Sequence, residues 1–401
     1  MSTPGWVHAV RQLLEQLRRA RPEDVPGLVG ELAPKLDAVE LVLYVVDYEQ
    51  TTLMPYTGPH DARRKALAIE RTLPGRTFTT GRTLTSVGRR GHRVWMPLLN
   101  GTERLGVLQV YRRAAPNPQE LQDLQFVATL LGELVVSRRL YGDAVERTRR
   151  RLPMQVAAEI IWSHLPPLTF ATADVAISGI LEPCYEVGGD AFDYAINGDV
   201  LHVALFDAVG HGIAASSITA LAISVYRNAR RTGLDLSDTY RSIDKWIHAQ
   251  YPDAFLTAVL AELGVDGGHY RAINAGHPGG LLLRDGRLVK NLPAPTALPL
   301  GLGHLSDPTP QLIEEALQPA DRVLLYTDGV VEARTADGEF FGVRRLAEFV
   351  GKASANQLPA PETMRRLTSA ILIHQHERLQ DDATAVMLEW RPAFTYGALP
   401  R

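Results

Sequence analysis

Apolar residues recur at helical spacing at Trp6, Val10, Leu13, Leu14 and Leu17, with arginines on the other side, so residues 6–20 are predicted to form an amphipathic helix. Pro22 and Pro26 flank the next start, and Val25–Leu36 is predicted as a second helix. The apolar run Leu41–Val46 within Val39–Val46 reads as a buried strand. Turns at Pro74-Gly75 and Gly81 bound a short helix, and Arg93–Leu99 and Arg104–Tyr111 flank Asn100-Gly101 as a hairpin. Residues 118–140 carry helical spacing with no break. Further on, Leu124, Val127, Leu131, Leu134, Tyr141, Val145 and Leu152 recur in heptad-like fashion, interrupted by Arg138 and Thr148. That spacing suits a long helix pairing with a second copy, and equally a helix covering its own domain. Met154–Leu165 resumes as an amphipathic helix ended by Pro166-Pro167, and the basic run Arg147–Arg151 reads as a solvated face.

From residue 168 the pattern changes to short β-like runs and Gly-containing turns. Helices are predicted at Ala214–Arg230, Leu236–Gln250, Val343–Val350 and Pro361–His376. Strands are predicted at Ala254–Leu263, His269–Asn274, Gly280–Arg284, Arg287–Lys290, Arg322–Thr327 and Ala383–Trp390. Many hairpins and few crossovers favour an α+β class, an antiparallel sandwich flanked by helices.

One hairpin stands out. Asn197-Gly198 separates two β-favouring runs, and a two-residue type I′ turn there would set Ile196 opposite Asp199 and Asp190 opposite Leu205. Asp207 then lies two residues along, a diagonal neighbour of Asp190 on the same face at roughly 7–8 Å. Asp193 differs from Asp190 by an odd number and points to the other face. Two carboxylates on one face fit a cation site, a general acid/base pair or two solvated charges. Further along, Asp328-Gly329 stops one predicted strand and Asp381-Asp382 precedes another. Carboxylates gathered from these strand ends, with no Lys or Arg beside them in sequence, would repel one another unless a dication intervened.

Composition narrows the alternatives. The 401 residues are enough for two or three domains, and a net charge of −3 offers no electrostatic case for nucleic acid. The single cysteine, Cys184, excludes an internal disulfide framework and fits a reducing compartment. The sequence shows no leader-like apolar segment and no apolar run approaching the ~18 residues of a spanning helix, so a cytoplasmic protein away from membranes is expected.

Residues 22–140 resemble a GAF domain through the strand Val39–Val46, the turn Gly75-Arg-Thr-Phe78…Gly81 and Met96-Pro-Leu-Leu…Arg104-Leu-Gly-Val-Leu. The resemblance implies an α/β sensory or dimerisation domain that binds a small molecule or serves as a scaffold. His60 and His92 read as surface or loop residues rather than ligands. The predicted organisation is an N-terminal helix (1–21), the GAF-like domain (22–140), a linker helix (141–165), a catalytic domain (166–391) and a tail (392–401).

Seven blocks occur in order: Glu186-Val-Gly-Gly-Asp190…Asp193, Asp207-Ala-Val-Gly-His-Gly212, Asn274-Ala-Gly-His-Pro278, Leu300-Gly301, Asp321…Tyr326-Thr-Asp328-Gly-Val-Val-Glu332, Gly338-Glu-Phe-Phe-Gly342 and Asp381-Asp-Ala-Thr384. Together they resemble the SpoIIE-like branch of PPM-type, metal-dependent Ser/Thr protein phosphatases over about residues 155–390. The resemblance implies paired antiparallel sheets with two Mn²⁺ or Mg²⁺ ions at one end. It makes Asp207 the bridging ligand, with Asp190 and the Ala208 carbonyl completing the second ion's protein ligands. Asp328 and Asp381, or alternatively Asp382, would hold the first. It further implies hydrolysis of phosphoserine or phosphothreonine by a water activated between the ions. His211 and His277 are by position the candidates to protonate the leaving group, or else structural residues of Gly-flanked turns. The implied substrate is a STAS-type anti-anti-sigma factor in bacterial partner switching, with the N-terminal region regulating the enzyme or forming a homodimer. The competing reading is a sensory or scaffolding protein whose phosphatase domain is inactive or partner-dependent.

Overall fold

The computed structural model describes residues 5–58, 64–88, 91–293, 297–305, 310–375 and 381–391, so His60 and the 392–401 tail lie outside the described residues. The described residues divide into two compact units, one up to residue 152 and one from residue 153.

In the N-terminal unit, α1 (Gly5–Leu17) and the short α2 (Val25–Gly30) precede β1 (Glu40–Val46) and β2 (Thr52–Tyr56). Then follow β3 (Leu67–Ala68), α3 (Leu73–Thr80), β4 (Leu84–Gly88), β5 (Gly91–Asn100), β6 (Glu103–Arg112), α4 (Pro118–Arg139) and α5 (Ala144–Arg149). The strands form one six-stranded sheet in the order β3-β2-β1-β6-β5-β4. The helix predicted over Val25–Leu36 is shorter than expected and gives way to a 3-10 turn at Ala33–Leu36.

Helix α4 starts where its sequence dictates. Asn117 caps it and Glu120 returns a bond to the Asn117 N–H, a capping box, with Pro118 in the first turn. Its heptad-like seam is used inside the unit: Leu124, Val127, Leu131 and Leu134 join the core with Leu43, Met96 and Leu108. The helix sits so close to β5 that a Cβ on Gly132 would lie 2.1 Å from the Leu99 carbonyl oxygen. Of the two readings of the seam, the structure supports the helix that covers its own domain. The long helix also ends early. Residues 141–165 are not one helix but α5 and α6 (Val156–His164), with Leu140 and Tyr141 exposed in the break. The basic run is likewise partly employed: Arg149 stacks over Tyr48 at 4.3 Å and donates to the Val46 carbonyl, while Arg151 pairs with Asp47 and Glu49.

The C-terminal unit contains two antiparallel sheets. After α6 come β7 (Thr169–Ala171), β8 (Val175–Glu182), β9 (Asp190–Asn197), β10 (Val200–Ala208), α7 (Gly212–Thr232) and α8 (Leu236–Gln250). Next are β11 (Leu256–Gly264), β12 (His269–Ala275), β13 (Leu281–Arg284), β14 (Arg287–Asn291), β15 (Ile313–Ala316) and β16 (Arg322–Tyr326). The last elements among the described residues are α9 (Asp328–Glu332), α10 (Gly342–Ala355), α11 (Ala360–His374) and β17 (Ala383–Trp390). The sheets run β15-β12-β11-β10-β9 and β14-β13-β16-β17-β8-β7. Their facing sides form one core layer, including Phe192, Leu205, Val259, Val323 and Val386. Gly179 of β8 admits the Phe192 ring from the opposite sheet, since a Cβ there would meet it at 2.3 Å. Helices α6, α7 and α8 pack on the outer side of one sheet and α9, α10 and α11 on that of the other. This is the α+β sandwich that the pattern of hairpins predicts.

Candidate active site

The site is built on the β9–β10 hairpin, whose two-residue loop lies one position later than expected, so its register differs from expectation by two residues. Asn197 pairs with Val200, so the two loop residues are Gly198 and Asp199 rather than Asn197 and Gly198. A type I′ turn needs positive φ at both central residues, and only Gly198 (φ 57°) supplies it, which suits the II′ pattern with glycine first. Asp285-Gly286, by contrast, has both residues positive (φ 49° and 73°) and sits in the two-residue loop as predicted. The consequence is chemical. Asp207 stands directly opposite Asp190, not diagonal to it, which places their Cβ atoms about 4.5–5.5 Å apart on one face.

Asp193 faces the other way, as its parity requires. It is buried beneath α7, where Arg227 and Arg230 hold its two carboxylate oxygens at 2.7 and 3.0 Å.

The remaining carboxylates come from the second sheet, at the same end of the sandwich. Asp328 opens α9 directly after β16 and Thr327, and Asp381-Asp382 leads into β17. Gly329 lies against that turn, where a Cβ would be 1.9 Å from the Asp382 carbonyl oxygen. The Asp382 carboxylate reaches across to the hairpin: its Oδ2 accepts the backbone N–H groups of Gly188 and Gly189 at 2.8 Å and of Asp190 at 3.3 Å. Asp381 Oδ1 accepts the neighbouring Asp382 N–H at 2.9 Å, and Asp381 is the more exposed of the two. Gly188 and Gly189 are required by space. A Cβ on Gly188 would lie 2.8 Å from the Gly212 nitrogen, and one on Gly189 would lie 2.8 Å from the Ala208 carbonyl oxygen.

The electrostatics record the crowding. Burial, then Asp207 and Asp382, push the Asp190 carboxyl well above the usual range, and burial followed by Asp328, Asp381 and Asp382 pushes Asp207 up to about 7. Asp328 is raised by burial, Asp381 and Glu332, and Asp382 by burial, against the three backbone N–H bonds that favour its ionised form. Among the described residues, no three His, Cys, Asp or Glu side chains are already drawn together tightly enough to hold an ion. The donor set nonetheless suits one: hard oxygen ligands, with the carboxyls of Asp190, Asp207 and Asp328 raised first by burial and then by neighbouring carboxylates.

The two histidines separate. His277 is buried and fully engaged, with Nδ1 at 2.7 Å from the Thr257 hydroxyl and Nε2 at 3.0 Å from the Tyr326 carbonyl. Burial lowers its pKa to about 4, so it is a neutral structural group and not a proton donor. His211 is exposed, at the residue preceding α7, and its side chain makes no cap bond. Cys184 is buried, its Sγ directed at the Leu181 carbonyl.

Two polar residues of the site escape a reading by motif. Thr219 of α7 donates to the Gly189 carbonyl, and Thr327 donates to Asp190 Oδ2 at 2.7 Å. Thr327 is the last residue of the strand predicted over Arg322–Thr327, whereas β16 ends at Tyr326 and Thr327 directly precedes Asp328.

Residues 197–391 match the family model described as Stage II sporulation protein E (SpoIIE). The C-terminal unit is thus similar, over just under half of the chain, to the SpoIIE family. The match begins after Asp190, so the place of that carboxylate rests on the pairing of β9 with β10. The phosphoserine phosphatase RsbU of Bacillus subtilis is 25% identical over 215 residues, covering 53% of this chain and 62% of RsbU. Protein IcfG of Synechocystis sp. is 23% identical over 283 residues, covering 62% of this chain and 43% of IcfG. The chain thus spans less than two thirds of the length of either relative. Among solved structures, the SiaA-PP2C domain of Pseudomonas aeruginosa is 22% identical with a TM-score of 0.49, covering 58% of this chain and 94% of that one.

Proposed function

We propose that the protein is a metal-dependent protein serine/threonine phosphatase. The observation that carries this reading is the facing pair Asp190 and Asp207, with Asp328 and Asp381 brought to the same end from the opposite sheet and the Asp207 carboxyl pushed up to about 7 by burial and then by Asp328, Asp381 and Asp382. Asp207, Asp190 and the Ala208 carbonyl would hold one Mn²⁺ or Mg²⁺, and Asp207, Asp328 and Asp381 the other. Two such ions supply a water acidified enough to attack phosphorus, and charge to offset the phosphoryl oxygens.

The chain's own residues do the positioning. Asp382 is committed to three backbone N–H groups, so of the 381–382 pair Asp381 is the ligand and Asp382 the staple that holds the Gly188–Asp190 backbone in place. The narrow approach of Gly189 to Ala208 keeps that carbonyl beside the hairpin. His211, exposed and uncommitted at the head of α7, is the group placed to hand a proton to the departing serine or threonine oxygen.

RsbU is a phosphoserine phosphatase by name, which supports phosphoserine on a protein as the substrate. A STAS-type anti-anti-sigma factor in a partner-switching pathway is the specific substrate we propose. The N-terminal unit, with its six-stranded sheet and flanking helices, is read as a GAF-like regulatory domain and as a site of homodimerisation. Among the described residues no helix is long and apolar enough to cross a membrane, and a cytoplasmic location is the one proposed.

The test is release of inorganic phosphate from a phosphoserine-bearing STAS-domain protein and from a phosphoserine peptide. Release that requires Mn²⁺ or Mg²⁺ and stops with a chelator supports the reading. No release from either substrate at millimolar Mn²⁺ overturns it.

A further inference from the structure

We propose that Thr327 is a positioning residue that fixes the Asp190 carboxylate for its ion, through a hydroxyl locked in place by the backbone of Thr384. The inference rests on the two-ion reading of the site and adds a residue to it.

The lock follows from the atoms around one hydroxyl. A threonine hydroxyl has one proton to give and two lone pairs. The Thr384 N–H donates to Thr327 Oγ1 at 3.0 Å and so occupies one lone pair. The proton then has two acceptors within reach: Asp190 Oδ2 at 2.7 Å and the Thr384 carbonyl at 3.4 Å. The carbonyl already accepts the Thr327 N–H at 2.9 Å, and a bond to a carboxylate is the shorter and stronger kind. The hydroxyl therefore points at Asp190. Thr327 and Thr384 are fully buried and Asp190 is 2% exposed, so bulk water has no access to replace the bond.

Two further features make this more than a satisfied polar pair. Thr327 directly follows β16 of one sheet and Asp190 opens β9 of the other, so the bond sets the position of the β9 end against the end of β16 across the sandwich. Thr327 is also the residue immediately before Asp328, in an extended conformation (φ −81°, ψ 161°) that turns the chain from β16 into α9. One residue thus holds one ligand by its hydroxyl and the next ligand by its peptide bond. Valine has the same shape and lacks the donor, whereas serine keeps the donor and lacks the methyl group.

The experiment is Mn²⁺ binding to the full chain, followed by calorimetry and by the paramagnetic resonance of free Mn²⁺, with circular dichroism as the check of folding. Thr327→Val is expected to weaken one of the two ions by about 10- to 100-fold and leave the other near its wild-type affinity. Thr327→Ser is expected to stay within about threefold of wild type for both. A folded Thr327→Val that binds both ions like the wild type overturns the proposal, as does a Thr327→Ser that loses as much affinity as the valine variant. Should Thr327→Val not fold, the serine variant decides: retention supports the donor role, and a loss beyond about tenfold overturns it. Wild-type protein that binds no Mn²⁺ would instead remove the two-ion reading itself, and this proposal with it.

Discussion

Asp190 and Asp207 are direct cross-strand partners on neighbouring strands, two carboxylates on one face with Asp381, Asp382 and Asp328 gathered at the same end. Burial and repulsion raise the folded-state pKa of Asp207 to about 7, against 3.8 as its ordinary value. A raised pKa means that the folded state holds the proton more tightly. Its stabilising share is complete below the unfolded value and is lost as pH rises through the window from about 4 to about 7. In metal-free protein, Asp207→Asn is therefore expected to be more stable than wild type by about 1–3 kcal/mol at about pH 8, and to lose that advantage near about pH 4. Chelator-treated denaturation curves at the two pH values check it.

Asp381 and Asp382 are adjacent and acidic, yet their substitutions should diverge. Asp382→Ala leaves the N–H groups of Gly188, Gly189 and Asp190 without an acceptor and is expected to cost about 1–3 kcal/mol of stability. Asp382→Asn keeps an oxygen for them and should recover most of that. Asp381→Asn is expected to leave stability nearly unchanged while weakening Mn²⁺ binding at least about tenfold. Thermal denaturation beside a metal titration separates the two roles.

The histidines provide a second contrast. The His277 imidazole has its pKa lowered to about 4, so its contribution to stability is present above the ordinary value of 6.5 and is lost as pH falls toward 4. Its ring should remain neutral by NMR at about pH 6, and His277→Ala should cost about 2–3 kcal/mol through the Thr257 and Tyr326 partners it abandons. His211→Ala should alter stability by less than about 0.5 kcal/mol and lower kcat about 100-fold. An unchanged kcat would remove His211 from proton transfer.

Gly329→Ala is expected to disturb the site through backbone rather than charge. Its Cβ would fall 1.9 Å from the Asp382 carbonyl, so α9 and the start of β17 must part. The expected cost is about 1–3 kcal/mol together with a loss of metal-dependent hydrolysis, read by denaturation and phosphate release.

Much of the sandwich is legible because its strands alternate or run apolar and are punctuated by turns: α8 and β17 have the predicted ends. That Asp190 and Asp207 share a face was legible too, since the conclusion depends on parity. The register was not, because Asn-Gly has the composition of either hairpin turn and only backbone φ decides which residues form the loop. The heptad-like seam of α4 misleads for a similar reason: residues that fit a partner helix fit the unit's own sheet equally, and Gly132 lets the helix approach it. Thr327 and the division of labour between Asp381 and Asp382 depend on bonds between residues more than 130 positions apart, which no local spacing reveals.

The central claim is that these carboxylates form one site for two ions, bridged by Asp207. The most direct measurement is the stoichiometry of Mn²⁺ bound per chain, by calorimetry, in wild type and Asp207→Ala. Two ions in the wild type, and at most one in the variant with its affinity reduced, is the result this account predicts. No Mn²⁺ bound by the wild type, or two bound equally well without Asp207, would contradict it.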